Sequence, residues 1–120
     1  MPEIKDKKYG KTLFYLDGNE IMDKKYGKTL FYIDGSEIKE KSKYGGVKFY
    51  IDGNEIKEKS KYGSVRYYID SNEVKEKSKY GSLRYFIDGS EIKDKKYGSV
   101  IYYIDGALTR DQLYGLLSII

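Results

Sequence analysis

The stretch "YGSVRYYIDSNEVKEKSKYGSLRYFIDGSEIKDKKYG", residues 62–98, repeats one phrase almost unchanged, and it decides the fold that we predict. Tyr-Gly pairs recur along the chain at spacings of 17, 18, 18, 18 and 17 residues. The tyrosines of these pairs are Tyr9, Tyr26, Tyr44, Tyr62, Tyr80 and Tyr97. Because a fixed period over nearly the whole chain is typical of repeat proteins, we interpret each unit as one supersecondary element. The 18-residue units carry an extra serine just before Tyr-Gly, so we expect that position to lie in a connection, where insertions are tolerated.

Within each unit, residues alternate between two faces. In "SVRYYID" (64–70), Val65, Tyr67 and Ile69 fall on one side, and Arg66, Tyr68 and Asp70 fall on the other. Alternation with period two, rich in Val, Tyr and Ile, is the pattern of a β-strand. A second short strand follows the Asp-Gly step. We name the strand before that step strand a and the strand after it strand b.

The Asp-Gly step, followed by Asn or Ser, predicts a two-residue hairpin turn, because Gly and Asn accept positive φ at little cost. Either Asp-Gly or Gly-Asn can occupy this turn, and both choices leave Val74 on the face of Tyr67 and Ile69. The Asp-Gly-Asn-Glu loops also hold two carboxylates close together. Calcium takes six to eight oxygen ligands and these loops supply about three or four, so we interpret them as turns rather than metal or acid–base sites.

The predicted fold class is all-β, an antiparallel meander of about 12 short strands built from 17–18-residue hairpin repeats. The chain opens on a lone b strand, "EIKDKK" (3–8), and its last repeat supplies an a strand, "SVIYYID" (99–105). Since the meander starts on b and ends on a, its two ends can pair and complete a ring.

The pattern breaks at "ALTRDQLYGLLSII" (107–120), which predicts a helix. Thr109 is a candidate N-cap with Gln112 three residues later, and Asp111 lies in the first turn. From Leu113 onward the segment is apolar on nearly all sides, as in buried helices. Such a helix is ~16 Å long, whereas a flat sheet of this many strands would span roughly 55 Å. The sheet must therefore be rolled or closed, with the helix covering or plugging its apolar face.

Three arrangements satisfy these requirements: a barrel plugged by the helix, a six-hairpin trefoil-like barrel, and a stack of hairpins. In each of them the chain forms a single repeat domain, residues 1–120. We divide it into a half repeat (1–8), six hairpin-type repeats (9–106) and the C-terminal helix (107–120).

The phrase "VRYYIDSNEVKEKSKYG" (65–81) resembles the aromatic-aromatic-x-Asp-x-x-x-apolar pattern of choline- and glucan-binding cell-wall repeats. Phrases such as "FYIDGNEI" (49–56) are also similar to the bacterial variants of MORN repeats. Both families use hairpins to present binding surfaces. The resemblance therefore implies hairpin repeats used for binding, and it implies no particular site.

Composition narrows the functional classes. The chain has 15 tyrosines, 35% charged residues and a net charge of +4, but no cysteine and no histidine. Thiolate chemistry is thereby excluded, and the commonest general base and metal ligand are missing. We therefore expect no enzyme activity, no metal site and no cofactor. No segment reaches the ~18 apolar residues of a membrane span, and the start lacks the apolar core of a signal peptide, so we expect a cytoplasmic protein.

The second aromatic of each strand-a pair is the most promising binding feature, since it alternates with cations in the central repeats. Tyrosine interleaved with lysine or arginine is typical of platforms for single-stranded nucleic acid or anionic glycan. Lys57 and Lys75 of the b strands fall on the same face. The predicted binding face comprises Lys48, Tyr50, Arg66, Tyr68, Arg84 and Phe86.

Exposed strand tyrosines and edge-protecting lysines are an alternative interpretation of the same face. We expect the tyrosine of each Tyr-Gly pair to be structural, packing over its own turn. Two functions then follow. The first is a structural scaffold or protein-interaction module, with a protein partner or self-association. The alternative is a module that binds an anionic polymer, nucleic acid or glycan, through the Tyr/Lys/Arg face.

Overall fold

The computed structural model describes all residues, 1–120, as a closed antiparallel barrel of twelve strands with one helix. Every strand pairs with its neighbours in the sequence, and β1 pairs with β12 to close the ring. The strands are β1 (Glu3–Lys5), β2 (Thr12–Asp17), β3 (Glu20–Met22), β4 (Thr29–Asp34), β5 (Glu37–Glu40), β6 (Val47–Asp52), β7 (Glu55–Glu58), β8 (Val65–Asp70), β9 (Glu73–Glu76), β10 (Leu83–Asp88), β11 (Glu91–Lys93) and β12 (Val100–Asp105). The predicted meander and its closure are both confirmed.

The core is built from three inward positions per repeat. They are the first aromatic of strand a, the aliphatic residue two positions later, and the aliphatic residue of strand b. In the fourth repeat these are Tyr67, Ile69 and Val74, all at most 4% exposed. Ile69 lies opposite Val74, and Val74 lies opposite Tyr85 of the next repeat, so the predicted face of Val74 is confirmed.

A β-bulge interrupts every pairing between a b strand and the following a strand. Between β7 and β8, Ile56 faces Tyr67 and Lys57 faces Val65, so Arg66 is the extra residue. The predicted side of Val65 is therefore wrong, because the bulge places Val65 on the side of Lys57 rather than on that of Tyr67 and Ile69. Ile56 faces Ile51 in its own hairpin but Tyr67 in the next repeat, and Tyr67 lies two residues before Ile69, which is the equivalent of Ile51. The strand register therefore shifts by two residues in each repeat. Over six repeats this stagger tilts the strands and lets the sheet close.

The barrel interior has room for the helix α1 (Arg110–Ile119). Twelve strands at ~4.8 Å spacing, tilted by about 40°, enclose a radius of roughly 12 Å, whereas a helix with its side chains is about 10–12 Å across. Leu116 and Leu117 are completely buried and belong to the same hydrophobic cluster as the strand residues. At Gly115 the helix approaches the wall so closely that a Cβ atom would lie 2.8 Å from Ile33 Cδ1. Of the three predicted arrangements, the plugged barrel is the one observed.

The helix enters the barrel from the end that carries the a-to-b turns. The predicted capping box is present, with Gln112 N–H donating to Thr109 Oγ1 and Thr109 N–H donating to Gln112 Oε1. Arg110 Nη2 donates to the carbonyl of Gly53, and Gln112 Nε2 donates to the carbonyl of Gly18. These two bonds fix the start of the helix to hairpin turns of two different repeats. No helix of the protein is long and apolar enough to cross a membrane.

The hairpin turns resolve the open choice between Asp-Gly and Gly-Asn. Asp34 pairs with Glu37, so Gly35 and Ser36 form the two-residue loop. Gly35 has a φ of 60°, in the left-handed region that glycine adopts without strain. In the fourth repeat Ser71 occupies this position with a φ of 59°, where a Cβ atom is unfavourable.

We therefore expect Ser71→Gly to raise the free energy of unfolding by about 1 kcal/mol, since relief of the left-handed strain exceeds the entropy that glycine adds to the unfolded chain. Gly35→Ser is the matched control. A Cβ atom at Gly35 would meet nothing within 4 Å, so the substitution should destabilise through φ alone. Urea unfolding of both variants measures the difference. A loss of stability in Ser71→Gly would contradict this turn geometry.

Candidate functional site

The six b-to-a loops all lie at one end of the barrel and form what we call the tyrosine rim. The tyrosine of each Tyr-Gly pair stands on one of these loops with 83% to 92% of its surface exposed. The rim comprises residues 6–11, 23–28, 40–46, 58–64, 76–82 and 94–99. It therefore presents six aromatic rings around one mouth of the barrel.

Local hydrogen bonding explains why each tyrosine points outward. In an 18-residue repeat, Tyr62 N–H donates to Ser60 Oγ (3.2 Å) and Gly63 N–H donates to the Ser60 carbonyl (2.9 Å). A Cβ atom at Gly63 would lie 1.7 Å from the carbonyl oxygen of Glu58, so the loop closes tightly only with glycine there. The backbone thus fills the space beneath the loop, and the ring of Tyr62 is left in solvent.

The 17-residue repeats reach the same result with an aspartate in place of the serine. Asp6 Oδ1 accepts from Lys11 N–H (2.9 Å), and Gly10 N–H donates to the Lys7 carbonyl (2.9 Å). Tyr9 on this loop is 89% exposed. Loops of both lengths therefore hold the tyrosine ring exposed to solvent.

The prediction that these tyrosines pack over their own turns is wrong. A tyrosine covering a turn would lose most of its exposed surface, and none of the six does. A signal was present in the sequence, because each Tyr-Gly pair is preceded by two lysines within three residues and has no apolar neighbour on the loop. Such surroundings offer an aromatic ring nothing to pack against.

The rim is strongly basic. The rim ranges, which include the last residues of β5, β7 and β9, carry fourteen lysines and six carboxylates, a net charge of +8. The rest of the chain has nine cations and thirteen carboxylates, a net charge of −4. In three loops the lysine before the tyrosine lies over the ring, with Nζ 5.5–5.6 Å from its centroid. Aromatic faces and cations are thus adjacent on the rim.

The aromatic members of the predicted face lie elsewhere, on the outer wall of the barrel. Tyr50 pairs with Lys57, Tyr68 with Lys75 and Phe86 with Lys93, all half-buried. These lysines are not free cations, because each lies between two carboxylates. The wall therefore carries aromatics beside neutralised lysines.

The contacts of one wall lysine illustrate this neutralisation. Lys57 Nζ lies 2.9 Å from Asp52 Oδ2 and 3.7 Å from Glu55 Oε1. The hydrogen bond with Asp52, assisted by its charge, raises the pKa of Lys57, and the same bond lowers the pKa of Asp52. Lys57 and Asp52 are therefore both charged throughout the neutral pH range, and the lysine is paired within its own repeat.

The cationic members of the predicted face lie at the bulges, close to the rim. The guanidinium of Arg66 lies 5.4 Å from the ring centroid of Phe49 and 4.9 Å from that of Tyr67, and both rings belong to the core. Arg84 lies 5.2 Å from the ring of Tyr85. Lys48 occupies the same bulge position and is exposed. The bulge thus ends the simple alternation of the strand, and the six predicted residues do not form one continuous face.

An open groove of about 610 Å³ lies beside Arg66 at this mouth, lined also by Tyr67, Glu76 and Lys77. The Nε atom of Arg66 is buried there with no hydrogen-bond partner. Burial, reinforced by the neighbouring Tyr67, raises the pKa of Tyr85, and the charge of Arg84 partly offsets this rise. At this mouth of the barrel, arginine side chains thus lie over the outermost core aromatic rings, next to the basic rim.

No protein-family model, curated protein or solved structure matches this chain. The description of the site therefore depends on its own geometry. The strongest concentration of exposed aromatic surface and positive charge is the tyrosine rim.

Arg66 and Lys48 occupy equivalent bulge positions, but only Arg66 lies over core aromatic rings, so substitutions at the two positions should differ in their effect on stability. Arg66→Glu should lower the free energy of unfolding by about 1–2 kcal/mol, because it removes cation–π contacts with core rings and places a carboxylate beside Glu76. Lys48→Glu should stay within ~0.5 kcal/mol, as exposed substitutions usually do. Thermal or urea unfolding measures both. Equal effects at the two positions would contradict the placement of Arg66 over the core aromatics.

Proposed function

We propose that this chain is a non-enzymatic β-repeat interaction module that binds an anionic polymer through its tyrosine rim. Single-stranded nucleic acid is the polymer class that the rim side chains fit best. The observation that carries the proposal is the ring of six exposed tyrosines on loops whose net charge is +8.

The chemistry of the rim matches what a flexible polyanion offers. Lysines neutralise phosphates and release counterions, which gives affinity that falls steeply with salt. Exposed aromatic rings stack with bases at roughly 1–3 kcal/mol per base, with little dependence on sequence. A sulfated glycan offers the charge without flat aromatic bases, so it would use the lysines more than the tyrosines. Six equivalent loops suit a partner that makes many weak and equal contacts.

The outer wall is the competing location on the same molecule. Tyr50, Tyr68 and Phe86 offer aromatic surface there, but the lysines opposite them are held by carboxylates. Lys48, Arg66 and Arg84 lie at the bulges and extend the positive charge of the rim rather than that of the wall. The balance of charge therefore favours the rim.

The experiment compares two matched triple variants by fluorescence anisotropy with a labelled oligothymidine. Tyr44→Ser, Tyr62→Ser and Tyr80→Ser together remove rings from the three 18-residue loops. They should weaken binding at least tenfold, with unfolding free energy nearly unchanged because the rings are exposed. Tyr50→Ser, Tyr68→Ser and Phe86→Ser remove the same number of wall aromatics and should leave binding unchanged.

Duplex DNA and heparin, a sulfated glycan, form the comparison arms, measured from 50 to 200 mM salt. Binding of all three should weaken as salt rises, but only the oligothymidine should respond to the loss of the rim tyrosines. A wild-type protein that binds none of the three at 50 mM salt would overturn the proposal. Loss of binding in the wall variant alone, with circular dichroism showing it folded, would move the site to the wall.

The scaffold function remains the second candidate. One specific observation favours it, the opposite net charge of the rim (+8) and of the rest of the chain (−4).

A further inference from the structure

The end of the barrel opposite the rim is acidic. Each a-to-b turn is flanked by an aspartate that ends strand a and a glutamate that begins strand b, as Asp52 and Glu55 do. Five turns repeat this arrangement, and Asp105 paired with Glu3 supplies the sixth where the ring closes. We call this set of six carboxylate pairs the acidic end.

The carboxylates of the acidic end face solvent, while the lysines that hold them do not. The side chain of Lys57 is 16% exposed, against 44% for Asp52 and 36% for Glu55. The repeats around Lys39, Lys75 and Lys93 show the same inequality. In each of these repeats one partly buried lysine pairs with two more exposed carboxylates, so the three side chains together carry a net charge of −1.

The two ends therefore carry opposite charge. The rim together with Lys48, Arg66 and Arg84 has a net charge of +11, and the remaining six cations and thirteen carboxylates have a net charge of −7. Every repeat contributes one basic loop and one acidic turn, so both ends show the same sixfold spacing. The molecule extends 39 × 37 × 17 Å. Because no strand exceeds six residues, or ~20 Å, we take the short dimension as the barrel axis and the two broad faces as the ends of the barrel.

We propose that the acidic end of one molecule docks onto the tyrosine rim of a second copy, so that the barrels stack head to tail. A disc of this diameter has a projected area of roughly 1,000 Å², of the same order as the ~800 Å² that each partner buries in a standard interface. The contact is heterologous, so each added copy leaves one rim and one acidic end free, and the stack does not close. The inference goes beyond the proposed function, although nucleic acid and a second copy use the same rim and exclude one another.

Sedimentation velocity of the full chain, measured at protein concentrations from about 5 to about 200 μM, tests the stacking. At 20 mM salt, where the Debye length exceeds 20 Å, the weight-average sedimentation coefficient should rise with concentration. At 500 mM salt the protein should sediment as a monomer, because the docking surfaces are exposed charges. A monomer at every concentration in 20 mM salt would overturn the proposal.

Charge reversal of the rim identifies the surface. The lysine that precedes each rim tyrosine is exposed, so its replacement by glutamate should leave the fold intact. Both ends are then acidic, and self-association should disappear. The variant combines Lys8→Glu, Lys25→Glu, Lys43→Glu, Lys61→Glu, Lys79→Glu and Lys96→Glu. Because its acidic end is intact, this variant should also cap wild-type stacks and lower their sedimentation coefficient. Rim-to-rim association would instead stop at a dimer whose sedimentation coefficient the variant does not lower, and that result would overturn the head-to-tail arrangement.

A second variant separates stacking from nucleic-acid binding. The second residue of each turn loop is an exposed Asn or Ser outside the lysine–carboxylate pairs, so lysine there reduces the negative charge of the acidic end. The changes are Asn19→Lys, Ser36→Lys, Asn54→Lys, Asn72→Lys and Ser90→Lys. Self-association should fall while oligothymidine binding at the rim persists. If stacking is unaffected by these five lysines, the acidic end is not the docking surface, whatever the rim binds.

Discussion

All six repeats bury apolar side chains in one cluster that includes a short helix, and the rest of the structure depends on that shared core. Individually, a hairpin with strands of three to six residues has too little apolar surface to be stable in water. The ring lets six hairpins share a single core. Leu116 and Leu117 lie completely buried within it, and Gly115 permits the close approach to the wall at Ile33.

The bulge in each repeat connects this packing to the surface chemistry. It adds one residue to strand a, contributes to the stagger of the barrel, and ends the alternation of the strand near the rim. In the last repeat the added residue is Ile101, which packs against the core. Where it is Arg66 or Arg84, a guanidinium rests on the outermost core aromatics instead. One backbone feature therefore accounts for both the closure of the ring and the positive charge at its mouth.

Much of the fold could be predicted from the sequence, because period-two alternation and the turn residues act locally. The inward face of Val74 and the cap at Thr109 follow from such local rules. The position of Arg66 could not be predicted, since a bulge depends on the register with the neighbouring strand. The exposure of Tyr62 differs from the prediction that the tyrosine packs over its turn, because its lysine-rich loop offers the ring no apolar partner.

The dependence of the barrel on its helix is tested most directly by deleting residues 109–120 and measuring the molar mass by light scattering, together with near-ultraviolet circular dichroism. The deletion removes the helix and exposes the inward side chains of all six repeats to water. We predict loss of the fixed aromatic environment of Tyr67, Tyr85 and Tyr102, and aggregation or a larger oligomer at the salt concentration where the full chain is monomeric. A truncated protein that remains monomeric with an unchanged aromatic spectrum would contradict the account.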